Sequence, residues 1–234
     1  LAYNIMVKHM NEKKFRICVY IVLFILVIVF FTKDFNLFSD FYKNIKPVKY
    51  PEQLDALVNK NYRLEEDYMP SDLEEVDIEF SHEHKYLRHD AKIAFEKMAT
   101  IAKTEGYQIV LVSAYRSYSY QEELYNYYVK TSGKNYADRC SARPGHSEHQ
   151  TGLALDIMGE NGDYNRFEDT KEFEWMQKHA HEYGFILRYP SDGYDITGFK
   201  YEPWHYRYVG IELATYLTNK KITLDEYYFK KYGK

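Results

Sequence analysis

Two cysteines in 234 residues, Cys18 and Cys140, exclude a scaffold built on disulfides. A basic excess is missing too. The formal net charge is −4, without the positive footprint of a nucleic-acid binder. There is no strand–glycine-loop–helix phosphate motif and no internal repeat. Nor is the chain poor in apolar residues: 45% hydrophobic with 28% charged is not the composition of a disordered polymer. At roughly 100–200 residues per domain, the length suits one good domain with an appendage or two small domains. The 26 tyrosines are a bias that an AT-rich genome produces without any chemistry.

The N-terminus carries a membrane signal. Ile17 to Phe31 is uncharged, and as a helix it spans about 22 Å. Adding Phe15, Arg16 and Thr32 brings it to about 27 Å against a hydrocarbon core of ~30 Å. Lys8, Lys13, Lys14 and Arg16 precede the run, opposed only by Glu12, so this end is expected in the cytoplasm and the rest outside. No small-residue cleavage pattern follows in Phe31-Thr-Lys-Asp-Phe35, which favours a retained anchor over a signal peptide. Met10, before Asn-Glu-Lys-Lys, would be a natural start for such a protein. The expected organisation is a cytoplasmic segment at 1–16, an anchor at 17–32, a stalk at 33–52 and a folded domain at 53–234. Residues 1–33 carry net +4, which leaves −8 on the rest. Cys18 then lies in the anchor and Cys140 outside it, so they cannot pair.

Within the domain, 64–70 is acidic, ends in Pro70 and reads as extended over the surface. Ile93, Ala94, Met98 and Ile101 give a helical period over 89–105 that stops at Gly106. QIVLVS at 108–113 and GLALDIM at 152–158 read as strands, with shorter ones at 185–188 and 204–208. Helices are predicted over 119–130, 172–183 and 211–217, and a polar loop over 139–151. Interleaved helices and strands without a phosphate loop favour an α+β fold over a doubly wound sheet.

Chemistry concentrates in two places. Gly145-His-Ser-Glu-His-Gln-Thr-Gly-Leu-Ala-Leu-Asp156 sets Asp156 inside an apolar strand, where a carboxylate is costly unless it meets a cation or a metal. His149 stands on the loop feeding that strand, and about fifty residues later Glu202 and His205 lie close together. Two imidazoles and one carboxylate suit a catalytic zinc, with a further carboxylate as general base. The same residues could equally be a hydrogen-bonded strand-end Asp and two unrelated histidines.

Ser147-x-His149-x-x-Gly152-x-Ala154-x-Asp156 and Glu202-x-x-His205 resemble the paired signatures of the VanY-type D-alanyl-D-alanine carboxypeptidases. These are zinc peptidases grouped with D,D-dipeptidases and the hedgehog signalling domain. Ser113-Ala-Tyr-Arg-Ser117 with Gln121, Ala142–Gly152, Tyr183–Pro190 and Glu202–Gly210 agree, so the resemblance covers roughly Leu57 to Leu217. It implies a small antiparallel central sheet flanked by helices and one zinc ion bound by His149, Asp156 and His205. It also implies Glu202 as catalytic base and Arg116 as stabiliser of the transition state. Ser147 and Gln121 are implied as substrate-binding positions.

Arg143 is open between loop anchor and carboxylate binder, and His146 between backing the ligands and facing substrate. Arg188 and Arg207 can simply brace the sheet. His82, His84 and His89, and likewise His179 and His181, read as solvated residues, and Cys140 is not expected to be a nucleophile. Where the family has a Lys-Gly turn after its Arg-Tyr-Pro, this chain has Ser191-Asp-Gly-Tyr-Asp195, an expected change at the cleft rim. The expected function is removal of the terminal D-Ala from peptidoglycan stem pentapeptides at the outer face of a bacterial membrane. The alternatives are an L,D-carboxypeptidase acting on tetrapeptides and a non-catalytic zinc-containing module that binds wall peptides.

Overall fold

The computed structural model describes residues 17, 19–21, 41–81, 83–159, 162 and 164–233. The chain divides into two units, 1–43 and 44–234. In the first, Ile17, Val19, Tyr20 and Ile21 are helical and exposed. The rest of the expected anchor lies outside the described residues. Among the described residues no helix is long and apolar enough to cross a membrane.

The second unit begins with two short strands paired in parallel, β1 (Lys46–Pro47) and β2 (Tyr62–Arg63). Thus β1 lies within the segment read as stalk. The antiparallel pair β3 (Leu73–Glu75) and β4 (Tyr86–Arg88) leads into helix α1 (His89–Thr104) and strand β5 (Ile109–Ser113). Helices α2 (Tyr118–Ser132) and α3 (Lys134–Cys140) follow. A 3-10 turn at Glu148–Thr151 then feeds strand β6 (Ala154–Gly159). Next come helix α4 (Lys171–His179), strand β7 (Phe185–Leu187), the single turn α5 (Tyr194–Thr197) and strand β8 (His205–Tyr208). Helices α6 (Ile211–Lys220) and α7 (Leu224–Tyr232) close the chain. The architecture is α+β, and the central sheet β5-β6-β8-β7 is antiparallel throughout.

Strand alternation divides this sheet chemically. Leu155 and Ile157 of β6, Tyr206 of β8 and Phe185 of β7 join Phe95 and Met98 of α1 and Trp175 and Met176 of α4 in the main core. Asp156, His205 and Arg207 occupy the intervening positions and so take the opposite face. Ile186 packs on that side with Leu57, Val209, Leu217 and Leu224, in a second core under α6 and α7.

Three local differences from the sequence reading have physical causes. Helix α1 lies where its period placed it, but it buries Ala91, Phe95, Met98, Ala99 and Ala102, while Ile93 and Ile101 face solvent. Small alanines let the helix approach the sheet closely, and that preference outweighs the larger aliphatic residues. Helix α7 was not anticipated, although Thr223 and Glu226 form a capping box at its start. The polar loop before β6 is buried from Gly145 to Thr151. Its polar groups are satisfied inside: His146 Nδ1 bonds Asn59 O, Gln150 Nε2 donates to Glu65 O and Tyr68 O, and Thr151 Oγ1 donates to Glu148 O. Residues 64–70 are therefore its cover.

Gly145 closes this contact. Its φ is +82°, its carbonyl accepts from Leu64 N at 2.8 Å, and a Cβ would stand 2.8 Å from Leu64 O. Gly145→Ala should cost about 2 kcal/mol through backbone strain and the displaced carbonyl, read as a lower melting temperature. An unchanged melt would show that the loop accommodates a side chain.

Candidate metal centre

The register of the sheet builds most of the site. Asp156 of β6 is paired directly with His205 of β8, which holds their side chains side by side. His149 comes from the 3-10 turn, whose exit needs Gly152 at φ +66° to swing the chain into β6. The turn is fastened to the end of β5: His149 Nδ1 lies 2.7 Å from Ala114 O, and Arg116 N donates to His149 O. A nitrogen facing a carbonyl must carry the proton, so His149 presents an unprotonated Nε2. That Nε2 is buried without a hydrogen-bond partner, 3.3 Å from Asp156 Oδ2. His205 presents Nδ1 to Asp156 Oδ1 at 2.9 Å. One ligand atom from each of the three residues lies within 4.8 Å of the others, the only such group among the described residues. An orphaned imidazole nitrogen converging with a carboxylate and a second imidazole fits a divalent metal such as zinc.

The surroundings tune these groups. His205 stacks on Tyr189 with ring centroids 4.9 Å apart. Burial and the neighbouring Arg116 pull His149 down to about 4. Asp156 stays well below the carboxylate range despite its burial, through its contacts with His149 and His205. Burial, with the nearby carboxylates of Asp156 and Glu148, pushes Glu202 up to about 7 although His205 and Arg116 pull it down. Its Oε2 lies 4.0 Å from His205 Nδ1. Two neighbouring carboxyls are thus driven apart, one a fixed anion and one poised near neutrality, the pattern of a ligand beside a proton carrier. Arg116 reaches Asp156 Oδ2 with Nη2 at 3.5 Å and donates from Nη1 to Gln121 Oε1 at 2.9 Å. All of these groups line one cleft of about 290 Å³, walled by Tyr120, Leu124, Tyr128, Phe199 and Trp204.

A family model described as D-alanyl-D-alanine carboxypeptidase matches residues 84–211. YodJ of Bacillus subtilis (strain 168), a protein named as a carboxypeptidase, is 42% identical over 84% of this chain and 77% of its own length. The chain belongs to the VanY D-alanyl-D-alanine carboxypeptidase family. It is similar in structure to LdcB, an LD-carboxypeptidase, with a TM-score of 0.74 and 43% identity over 80% of this chain and 91% of that one. It is also similar to the vancomycin-resistance D,D-pentapeptidase VanY in complex with Zn(II), with a TM-score of 0.65 and 30% identity over 75% of this chain and 98% of that one.

Within this VanY-family cleft the remaining expected residues separate. Ser147 lines it. Gln121 also lines it, but its amide is used inside the protein: Oε1 accepts from Arg116, and Nε2 donates to Ser141 Oγ and Ala142 O. It holds Arg116 in place. Arg143 does not line the cleft and closes its guanidinium on Asp138 with two bonds of 2.9 Å, as a loop anchor. The Ser191–Asp195 turn lies off the cleft as well. Asp192 and Gly193 border a separate groove, and the rim near them is made by Tyr189 and Phe199. Trp204 serves both cleft wall and core. His84 and His89 pair with Glu75 and Glu74 on the surface, while His82 lies outside the described residues. Cys140 lines the cleft, and burial pushes its thiol up, away from the thiolate a nucleophile needs.

Glu148, Tyr189 and Asp225 were missed as parts of the site. Glu148 sits in a quoted motif, yet only the fold reveals its partners, and Asp225 lies beyond the matched segment.

His146 faces Asn59 O, so it backs the loop. Burial holds it down at about 4, against 6.5 when unfolded. The unfolded chain takes up that proton first, so stability present above pH 6.5 is lost as pH falls toward 4, by about 3 kcal/mol. His146→Gln should remove this share of the acid sensitivity in urea melts between pH 7.5 and 4. An unchanged slope would mean that the imidazole titrates normally.

Proposed function

We propose that the chain is a zinc-dependent carboxypeptidase that removes the C-terminal D-alanine from peptidoglycan stem peptides. The observation that carries this reading is Glu202, poised near neutrality beside the His149–Asp156–His205 set in the cleft that also holds Arg116. These three residues would hold the metal. When bound, zinc supplies an acidified water and polarises the peptide carbonyl. Glu202 takes the proton from the attacking water and returns it to the leaving amine. Arg116, held by Gln121, offers its guanidinium to the negative charge developing on the carbonyl oxygen. A wall-peptide binding module would need no such base, so the combination favours catalysis.

Stem pentapeptide ending in D-Ala-D-Ala is the first substrate, in line with the family's D-alanyl-D-alanine carboxypeptidase description. Stem tetrapeptide is the second, favoured by the likeness to LdcB. At the N-terminus, the uncharged run Ile17–Phe31 behind four basic residues supports a single-pass anchor with the enzyme domain outside a bacterial cell.

The zinc-loaded chain, given equal amounts of pentapeptide and tetrapeptide, should release one alanine, followed by mass. Loss from the pentapeptide that stops at tetrapeptide fixes D,D-specificity. Loss from the tetrapeptide fixes L,D-specificity, and no loss from either removes the catalytic reading. Glu202→Ala should keep its zinc and lose about 100–10,000-fold in turnover. Arg116→Ala should lose about 100–1,000-fold in kcat. Retained turnover in the first variant would refute Glu202 as the base.

A further inference from the structure

Glu148 is fully enclosed and spends only one of its oxygens on the arginines around it. Oε1 accepts from Arg188 Nε and from Arg207 Nη1, both at 2.8 Å. Oε2 is buried with no hydrogen-bond partner and lies 3.6 Å from His205 Nε2, itself buried and unpartnered. A carboxylate that only braced the sheet would share both oxygens between the two guanidinium groups. Here the second oxygen is aimed at the imidazole whose other nitrogen faces Asp156.

Arg188 continues the relay. Its Nη1 donates to Asp225 Oδ2 at 2.6 Å, and Asp225 Oδ1 accepts from Asn59 Nδ2 at 2.7 Å. Arg207 is fixed separately, donating from Nη2 to Leu54 O and Ala56 O at 3.0 Å. A chain of buried charges thus runs from His205 to α7, on the side of the sheet away from the main core. Burying four charges is a poor way to gain stability. A carboxylate behind a ligating histidine, by contrast, fixes its ring and tautomer.

We propose that Glu148 is a positioning residue for His205, and that Asp225, acting through Arg188, sets where Glu148 stands. Metal affinity is then governed partly by the last helix, which does not touch the cleft. The proposal rests on the reading of His205 as a metal ligand.

The test is zinc affinity, measured by competition with a chromogenic chelator on the full chain and its Glu148→Gln and Asp225→Asn variants, alongside melts of the metal-free proteins. Glu148→Gln should weaken zinc by about 10–100-fold, and Asp225→Asn, one step further back, by about tenfold or less. The double variant should bind no more weakly than Glu148→Gln, because both act through one relay. At saturating zinc the KM for stem peptide should be unchanged. Lower melting temperatures with unaltered zinc affinity would overturn the proposal and leave the network a structural brace. Failure of the unaltered chain to bind zinc would overturn the metal reading first and the proposal with it. If Glu148→Gln does not fold, Asp225→Asn decides, since asparagine keeps an acceptor for Arg188: weakened zinc supports the relay and unchanged zinc overturns it.

Discussion

The carboxylate of Glu148, closed between Arg188 and Arg207, joins segments that are far apart in the chain. It stands on the turn that also supplies His149, while its two cations come from the end of β7 and from β8. Through Arg207 the network holds the backbone at Leu54 and Ala56, and through Arg188 it holds α7. Removing any one member would leave a charge stranded in an apolar surrounding, at about 3–5 kcal/mol. The arginines hold Glu148 far below the usual carboxylate range even though burial opposes it. The turn that carries His149 is therefore not a surface loop of adjustable shape but a buried, hydrogen-bonded block.

The second constraint is the period of the strand. Leu155, Ile157 and Tyr206 need the core, so Asp156 and His205 must face away from it, and their direct pairing makes them neighbours. A slip of one residue between β6 and β8 would break that pairing, and with it the candidate metal site. Burial does the rest of the chemistry. Burial in the cleft, together with Asp156 and Glu148, raises Glu202, whereas the contacts of His149 and His205 hold Asp156 down.

Much of this was legible beforehand. The limits of α1, the strands at β5 and β6, and the stop at Gly184, which closes a 3-10 turn (Ala180–Tyr183) continuing from α4, follow from period and punctuation. His149, Asp156 and His205 could be singled out because an acid in an apolar strand demands a partner, but that left a metal site and a hydrogen-bonded strand end as alternatives, and it was the resemblance to the VanY signatures that implied the ligand set and Glu202 as base. The face of α1 was not, since alanine and isoleucine give the same period and only the distance to the sheet selects between them. Gln121 and Arg143 carry the right chemistry for substrate, but the partners that occupy them, Arg116 with Ala142 O and Asp138, are neighbours only in space.

The sequence by itself determined which side chains carry reactive chemistry, because ligand type, strand alternation and glycine punctuation are local properties. The tertiary structure alone decided which of them meet. The partners of Glu148, Arg188, His205 and Arg207, lie 40, 57 and 59 positions away, and the cation joining Glu148 to Asp225 is 37 residues before that helix aspartate. Pairings at such separations are fixed by packing and by the cost of a buried unpaired charge, and no local pattern encodes them.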